Sequence, residues 1–171
     1  MKRLARSAPF GGIVLVMDEA GRLVAVEPGL EAPAAEDWPC NEATRLVDAV
    51  LAGRPSTRVP ALVERSPAWL ALSPFAREVL VLTAAIAPGT IQGYGEIARR
   101  MGRRPQDARA VAGALARNPF PVLVPCHRVG SAAQAATQSL LMPHYGGAAS
   151  GHGAIGSFLR ALERNAAASL E

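Results

Sequence analysis

Apolar and polar positions follow two regimes along the chain. In the first, short apolar runs are broken by turn residues. Ile13–Met17 follows Gly11-Gly12, Asp18–Gly21 supplies a turn, and Leu23–Val26 resumes the run, which predicts a β-hairpin. Residues 28–39 are rich in Pro, Ala and acids and predict a loop. Ala43, Leu46, Val47, Val50 and Leu51 then recur at helical spacing over Glu42–Ala52, with Gly53 as the stop. Pro55, Pro60 and Pro67 punctuate 53–68, which predicts a linker or an edge strand. In the second regime the helical period dominates. Ser73 caps a predicted helix from Pro74 to about Ile86, ended by Pro88-Gly89. Tyr94–Met101 reads as a short helix closed by Gly102, and Pro105 opens another that runs to about Arg117 and is broken at Asn118-Pro119. Phe120–Val124, apolar and β-branched, predicts a buried strand.

This order predicts an α+β chain. A small N-terminal α/β domain with a β-hairpin or sheet spans 1–68, and a mostly helical C-terminal domain with a winged helix-turn-helix-like element spans 69–171. With 171 residues, half of them apolar, the chain can bury a sizeable core. No apolar run approaches the roughly 18–20 residues that cross a bilayer. The basic start is followed by a short patch that meets Asp18 and Glu19, so a signal peptide is not expected. The expectation is a soluble, cytoplasmic protein without membrane contact.

Charge changes the picture for the second half. Residues 1–90 hold 9 Lys+Arg against 10 Asp+Glu, whereas residues 91–171 hold 9 Arg against 4 acids. Arginine pairs with phosphates through a planar fork, so the excess suggests a polyanionic partner. Arg99, Arg100, Arg103, Arg104, Arg109 and Arg117 fall within 19 residues across the two predicted helices joined at Gly102, an arrangement shared by helix-turn-helix elements and by ordinary core helix pairs.

The chemistry-bearing group is Pro125-Cys126-His127-Arg128-Val129, placed after the predicted strand. A thiol attacks as thiolate, and at its ordinary pKa only a small fraction is ionised at neutral pH, so a base or a cation must assist. On a strand, Cys126 and His127 would point to opposite faces, and proton transfer would need a water or a bend. An inert buried cysteine shares the same local pattern, and a cysteine protease would need a separately oriented His. The two cysteines, Cys40 and Cys126, and three histidines show no metal-ligand spacing. Cys40 reads as a bystander thiol, His144 and His152 as exposed loop residues, and Trp69 as core packing.

Taken together, residues 73–129 resemble the C-terminal domain of O(6)-alkylguanine-DNA alkyltransferases. The resemblance rests on the helix with Phe75 and Val79, Gly-Thr-Ile-Gln-Gly-Tyr-Gly-Glu-Ile-Ala at 89–98, and Ala-Arg-Ala-Val-Ala-Gly-Ala at 108–114. Arg117-Asn118-Pro119 and Pro-Cys-His-Arg-Val at 125–129 complete it. It implies that Cys126 accepts an alkyl group from guanine, once per molecule and without a cofactor. His127 would activate Cys126 through a water, Glu163 would orient His127, and Asn118 would brace the turn before the active-site strand. Tyr94 would press on the phosphate of the target nucleotide, and Arg109 would fill the space of the flipped base. Ala110, Ala112, Gly113 and Arg117 would meet the minor groove of double-stranded DNA, and Tyr94, Val124, Pro125, Tyr145 and Gly146 would line the base pocket. A monomer is implied.

After Val129 the chain departs from the family. A longer Ala/Ser/Gln stretch precedes Tyr145-Gly146-Gly147; Gly156 stands near a lysine often found before the last helix, and Gly146 aligns with a serine often found beside the pocket aromatic. An alkyltransferase-like protein that recognises damage with weak or no transfer is the alternative reading.

Overall fold

The computed structural model describes residues 1–8, 11–29, 39–142 and 153–169. Tyr145, Gly146, His144 and His152 lie outside these residues, as does most of the loop expected over 28–39.

The N-terminal part is a three-stranded antiparallel sheet in the order β1 (Lys2–Ala8), β2 (Gly11–Met17), β3 (Leu23–Gly29). The expected hairpin is β2–β3, joined by a turn in which Arg22 donates to the Asp18 carboxylate and Gly21 adopts φ +74°. Strand β1 has no counterpart in the expectation. Its Lys2, Arg3 and Arg6 mask the short buried pair Leu4–Ala5, as suits a charged edge strand. Arg6 pairs with Asp48 of helix α1 (Glu42–Leu51), tying that edge to the helix. Strand β2 is central and buried from Gly12 to Met17, which explains its unbroken apolar run.

Helix α1 begins at Asn41, whose side chain accepts from Thr44 N while Thr44 Oγ1 accepts from Asn41 N, a reciprocal cap. Its stop, Gly53, has φ +72°, and a Cβ there would lie 2.9 Å from Ala166 Cβ of the last helix. The 53–68 segment forms no edge strand. Two one-turn helices, α2 (Ala61–Glu64) and α3 (Pro67–Leu70), occupy its end, with Ser66 capping α3 by accepting from Trp69 N. Pro60 and Pro67 stand at helix starts, where a missing N–H costs nothing, and Pro55 lies in the coil before them. The expected boundary at 68/69 falls inside α3.

Helices α4 (Pro74–Ala84), α5 (Tyr94–Arg100) and α6 (Ala108–Ala116) follow as expected, α6 preceded by a 3-10 turn at Pro105–Asp107. Helix α5 ends with Gly102 at φ +68°, Gly102 N bonded to Arg99 O and Arg103 N bonded to Ala98 O. This paired C-terminal cap turns the chain into α6. One cluster of buried side chains joins Leu15, Val47, Trp69, Leu80, Ile97, Val111, Phe120 and Leu159, so sheet and helices share a core. Val26 N of β3 donates to Pro119 O at 2.9 Å, anchoring the sheet beneath the segment that leads to Cys126.

That segment corrects the sequence reading. Phe120–Val124 is not a strand but a buried turn closed by Val124 N donating to Phe120 O at 2.8 Å, with Val122 at φ +76°. Pro125 then has φ −81° and ψ +63°, and Cys126 N donates to Val124 O, the geometry of an inverse γ-turn. Cys126–Arg128 is a single 3-10 turn, followed by β5 (Val129–Gly130), helix α7 (Ala132–Thr137) and the last helix, α8 (Gly153–Ala168). Strand β5 pairs in parallel with β4 (Gln92–Gly93), Gln92 opposite Val129 and Gly93 opposite Gly130. Among the described residues no helix is long and apolar enough to cross a membrane.

Candidate thiol site and basic helix pair

The β4–β5 pairing is what assembles the site. It sets the start of α5, and so Tyr94, beside the turn that carries Cys126. Cys126 is buried, at 6% exposure. Asn118, just past α6, spans the turn: its Nδ2 donates to Val124 O at 3.0 Å and to Cys126 Sγ at 3.5 Å, and its Oδ1 accepts from Phe120 N at 3.0 Å. One side chain thus holds both ends of the Phe120–Val124 turn and touches the sulfur.

His127 is fully buried and its Nε2 lies 2.8 Å from Glu163 Oε1. In a 3-10 turn consecutive side chains diverge by about 120° rather than pointing to opposite faces. Nε2 is the ring nitrogen that faces Glu163. Arg128, 1% exposed, completes the cluster. Its Nε and Nη2 donate to the Glu163 carboxylate at 2.9–3.1 Å, and its Nη1 donates to Ile86 O at 2.7 Å and Ala84 O at 3.4 Å, at the end of α4. Gly89 N adds a 3.1 Å bond to Glu163 Oε2.

Burial tends to raise the Glu163 carboxyl, but the hydrogen bonds and charges of His127 and Arg128 outweigh it and bring it down from 4.5 to about 2. Glu163 is therefore an anion, matched by Arg128. His127 is held below its ordinary value by burial first and by Arg128 and Arg160 next, against the opposing pull of Glu163. That direction favours the neutral imidazole, hydrogen-bonded to the Glu163 carboxylate. Tyr94 is half-buried, its phenol raised by burial and by Cys126 and lowered by Arg160, so it shares an electrostatic neighbourhood with both.

The structure brings Asn118, Cys126, His127 and Glu163 into one connected group and places Val124 and Pro125, both buried, in the adjoining turns. Arg109, Ala110 and Arg117 are exposed on α6, with Ala112 and Gly113 half-buried along the same helix. Arg103 lies 4.9 Å above the Phe75 ring, and Arg100 donates to Gln92 Oε1 at 2.9 Å. Sequence reasoning missed Arg128 and Arg160 as buried members. The available signal was helix α8, where the buried positions Ile155, Gly156, Leu159, Arg160 and Glu163 form a stripe of period four. Two charges on such a stripe require partners inside the fold.

The chain is similar to known proteins in part of its sequence and in its fold. Residues 74–151 match the family described as 6-O-methylguanine DNA methyltransferase, DNA binding domain. A methylated-DNA--protein-cysteine methyltransferase of Methanothermobacter thermautotrophicus is 47% identical over 55 residues, 32% of this chain and 30% of that protein. The fold is shared nearly end to end with an O6-methylguanine methyltransferase of Mycobacterium tuberculosis, with TM-score 0.69 and 23% identity over 95% of this chain and 92% of the other. It is shared likewise with a Mycobacterium tuberculosis OGT in complex with DNA, with TM-score 0.65 and 23% identity over 96% and 93%. The aligned sequence spans about a third of the length of the curated relatives it matches.

Proposed function

We propose that the chain, whose residues 74–151 match the DNA-binding-domain family of 6-O-methylguanine DNA methyltransferases, transfers a methyl or larger alkyl group from O(6)-alkylguanine in double-stranded DNA to its own Cys126, once per molecule. The observation that carries this reading is the junction of Cys126 with Asn118 in one turn and with the buried His127–Glu163 pair behind it.

The chemistry follows from that junction. The Cys126 proton passes through a bridging water to His127 Nδ1, while Glu163 steadies the imidazolium through Nε2. The thiolate attacks the alkyl carbon on O6; the C–S bond forms as the C–O bond breaks. The electron pair left on guanine takes up the proton the thiol gave away. Atoms and charge balance without a co-reactant, and the thioether is a poor leaving group, so each molecule turns over once.

The reacting carbon is hidden in a stacked duplex, so the base must swing out, at a cost of a few kcal/mol. Arg109, exposed near the start of α6, offsets part of that cost by filling the vacated space. Ala110, Ala112 and Gly113 keep α6 slim enough for the minor groove, Arg117 meets phosphate, and Tyr94 presses on the target phosphate and, with Val124 and Pro125, borders the base. The chain would act as an intracellular monomer, with 1–68 as a supporting domain and 69–171 as the DNA-binding and acceptor domain.

Mass spectrometry of the Cys126 peptide after incubation with O(6)-methylguanine duplex tests the proposal. One added methyl on Cys126, absent in Cys126→Ser although that variant still binds, is expected. Selective binding without a mass change would replace it with damage recognition alone, and binding without preference for the lesion would leave only a DNA-binding protein.

A further inference from the structure

Arg160 is 3% exposed, yet all its acceptors among the described residues are main-chain carbonyls. Nε donates to His127 O at 2.7 Å and Nη2 to Val129 O at 3.2 Å, on either side of Arg128. Nη1 donates to Ser139 O at 3.0 Å and Leu141 O at 2.8 Å, in the segment after α7. The planar fork therefore fastens the thiol-bearing turn to a second stretch of chain through four bonds. Its seat is shaped for it: a Cβ on Gly130 would stand 3.2 Å from Nη2.

Among the described residues the cations of this buried group outnumber its carboxylates. Arg128 is matched by Glu163 through bonds from Nε and Nη2. His127 is held towards its neutral form, and Tyr94 is held protonated. Arg164 of α8, beside the same group, donates to Gln138 O. Among the described residues Arg160 is bonded to no carboxylate, so it leaves the buried group positive, a charge that an ionised Cys126 would offset. A neutral resting cysteine keeps a desolvated cation unmatched, which is costly in a protein interior.

We propose that Arg160 is a positioning residue of the thiol site: its guanidinium pins the main chain on both sides of Arg128, and its unmatched charge favours the Cys126 thiolate. This deepens the reading of Cys126 as an acceptor and rests on it, but it is testable without lesion DNA.

The test is the pH dependence of Cys126 labelling by iodoacetamide, followed peptide by peptide by mass spectrometry. Exposed Cys40 serves as an internal reference. Arg160→Gln keeps donors but removes the charge, and should raise the midpoint for Cys126 by about one pH unit, roughly tenfold slower labelling below it, with Cys40 unchanged. Arg160→Lys keeps the charge while losing the fork, and should hold the midpoint close to that of the natural chain. An unmoved midpoint in a folded Arg160→Gln variant, or equal movement in both variants, would overturn the proposal. Should Arg160→Gln not fold, the natural chain decides: a Cys126 midpoint above the ordinary thiol value of about 8.5 means that burial wins over Arg160, and the proposal fails. Labelling that behaves as expected while lesion DNA leaves Cys126 unmethylated would uphold the role of Arg160 and refute the transfer reaction.

Discussion

Replacing Glu163 by Gln removes the one charge that reconciles His127 and Arg128 with their burial. Glu163 is 2% exposed and receives bonds from His127, Arg128 and Gly89. A carboxyl held at about 2 in the fold, against 4.5 in the open chain, gains about 3 kcal/mol of stability at neutral pH. Leaving one partner of a buried ion pair unmatched costs about 3–5 kcal/mol by an independent route. The two figures agree on a loss of about 3 kcal/mol, which in a chain of this size lowers Tm by roughly 6–12 °C. The sign with pH is fixed by the same shift. A carboxyl depressed in the fold contributes fully above its open-chain value of 4.5, and that contribution disappears as pH falls through about 2. Urea unfolding of both chains at pH 7 and across the acid range, with equal slopes, measures the difference. A Glu163→Gln chain within about 1 kcal/mol of the natural one at pH 7 would refute the account of Glu163 as a counter-ion. In the folded fraction, alkyl transfer should fall by about 10²–10⁴, the usual contribution of general-base assistance.

The remaining predictions concern separate parts of the molecule. Gly53→Ala should cost more than about 1 kcal/mol in urea unfolding, because φ +72° disfavours a side chain and the new Cβ meets Ala166 at 2.9 Å; a neutral effect would show that α1 and α8 do not approach as described. Asn118→Ala removes three contacts that hold the Cys126 turn and should slow transfer in stopped reactions at least tenfold; transfer at the natural rate would remove Asn118 from the positioning scheme. Arg109→Ala should reduce preference for lesion over intact duplex in fluorescence anisotropy while leaving the Cys126 thiol equally reactive towards iodoacetamide. Equal repair rates for Arg109→Ala and the natural chain would rule out a role in filling the vacated stack.

Helices were legible where pattern and caps agreed. Ser73-Pro74, Gly102 and the α1 stripe are local signals, and the local chain obeys them. Strand β1 was not legible, since three of its seven residues are cationic and its partner is supplied by β2. The Phe120–Val124 segment misled for the opposite reason. Its composition is that of a strand, but it is buried by α6, β3 and the active-site turn, and tertiary packing overrides β-propensity there. The roles ascribed to Cys126, His127, Glu163 and Asn118 came from a family pattern, whereas the burial of Arg128 and Arg160 emerges only when α8 docks and its period-four face becomes interior. No sequence window contains both Arg160 and the carbonyls of residues 127, 129, 139 and 141 that receive it.

The turn in place of the strand changes the chemistry available to neighbouring residues. On a strand, residues 126 and 127 would be separated by the sheet itself, and a proton path between them would have to run around an edge. In a 3-10 turn their side chains diverge by about 120° with no sheet between them, and Nε2 stays on Glu163. Such a turn is expensive to build. Val122, a β-branched residue, sits at φ +76°, a conformation that costs of order 1–3 kcal/mol, and Arg128, Arg160 and Glu163 are charges taken from water. The strained turn is held by Asn118 at both ends, and the charges by one another and by main-chain carbonyls, so the same bonds that stabilise the segment also fix the sulfur. Under the transfer proposed above, a protein that reacts once would gain nothing from fast product release, and its site would require a nucleophile already in place when the base arrives. The expenditure on rigidity around Cys126 follows from that requirement.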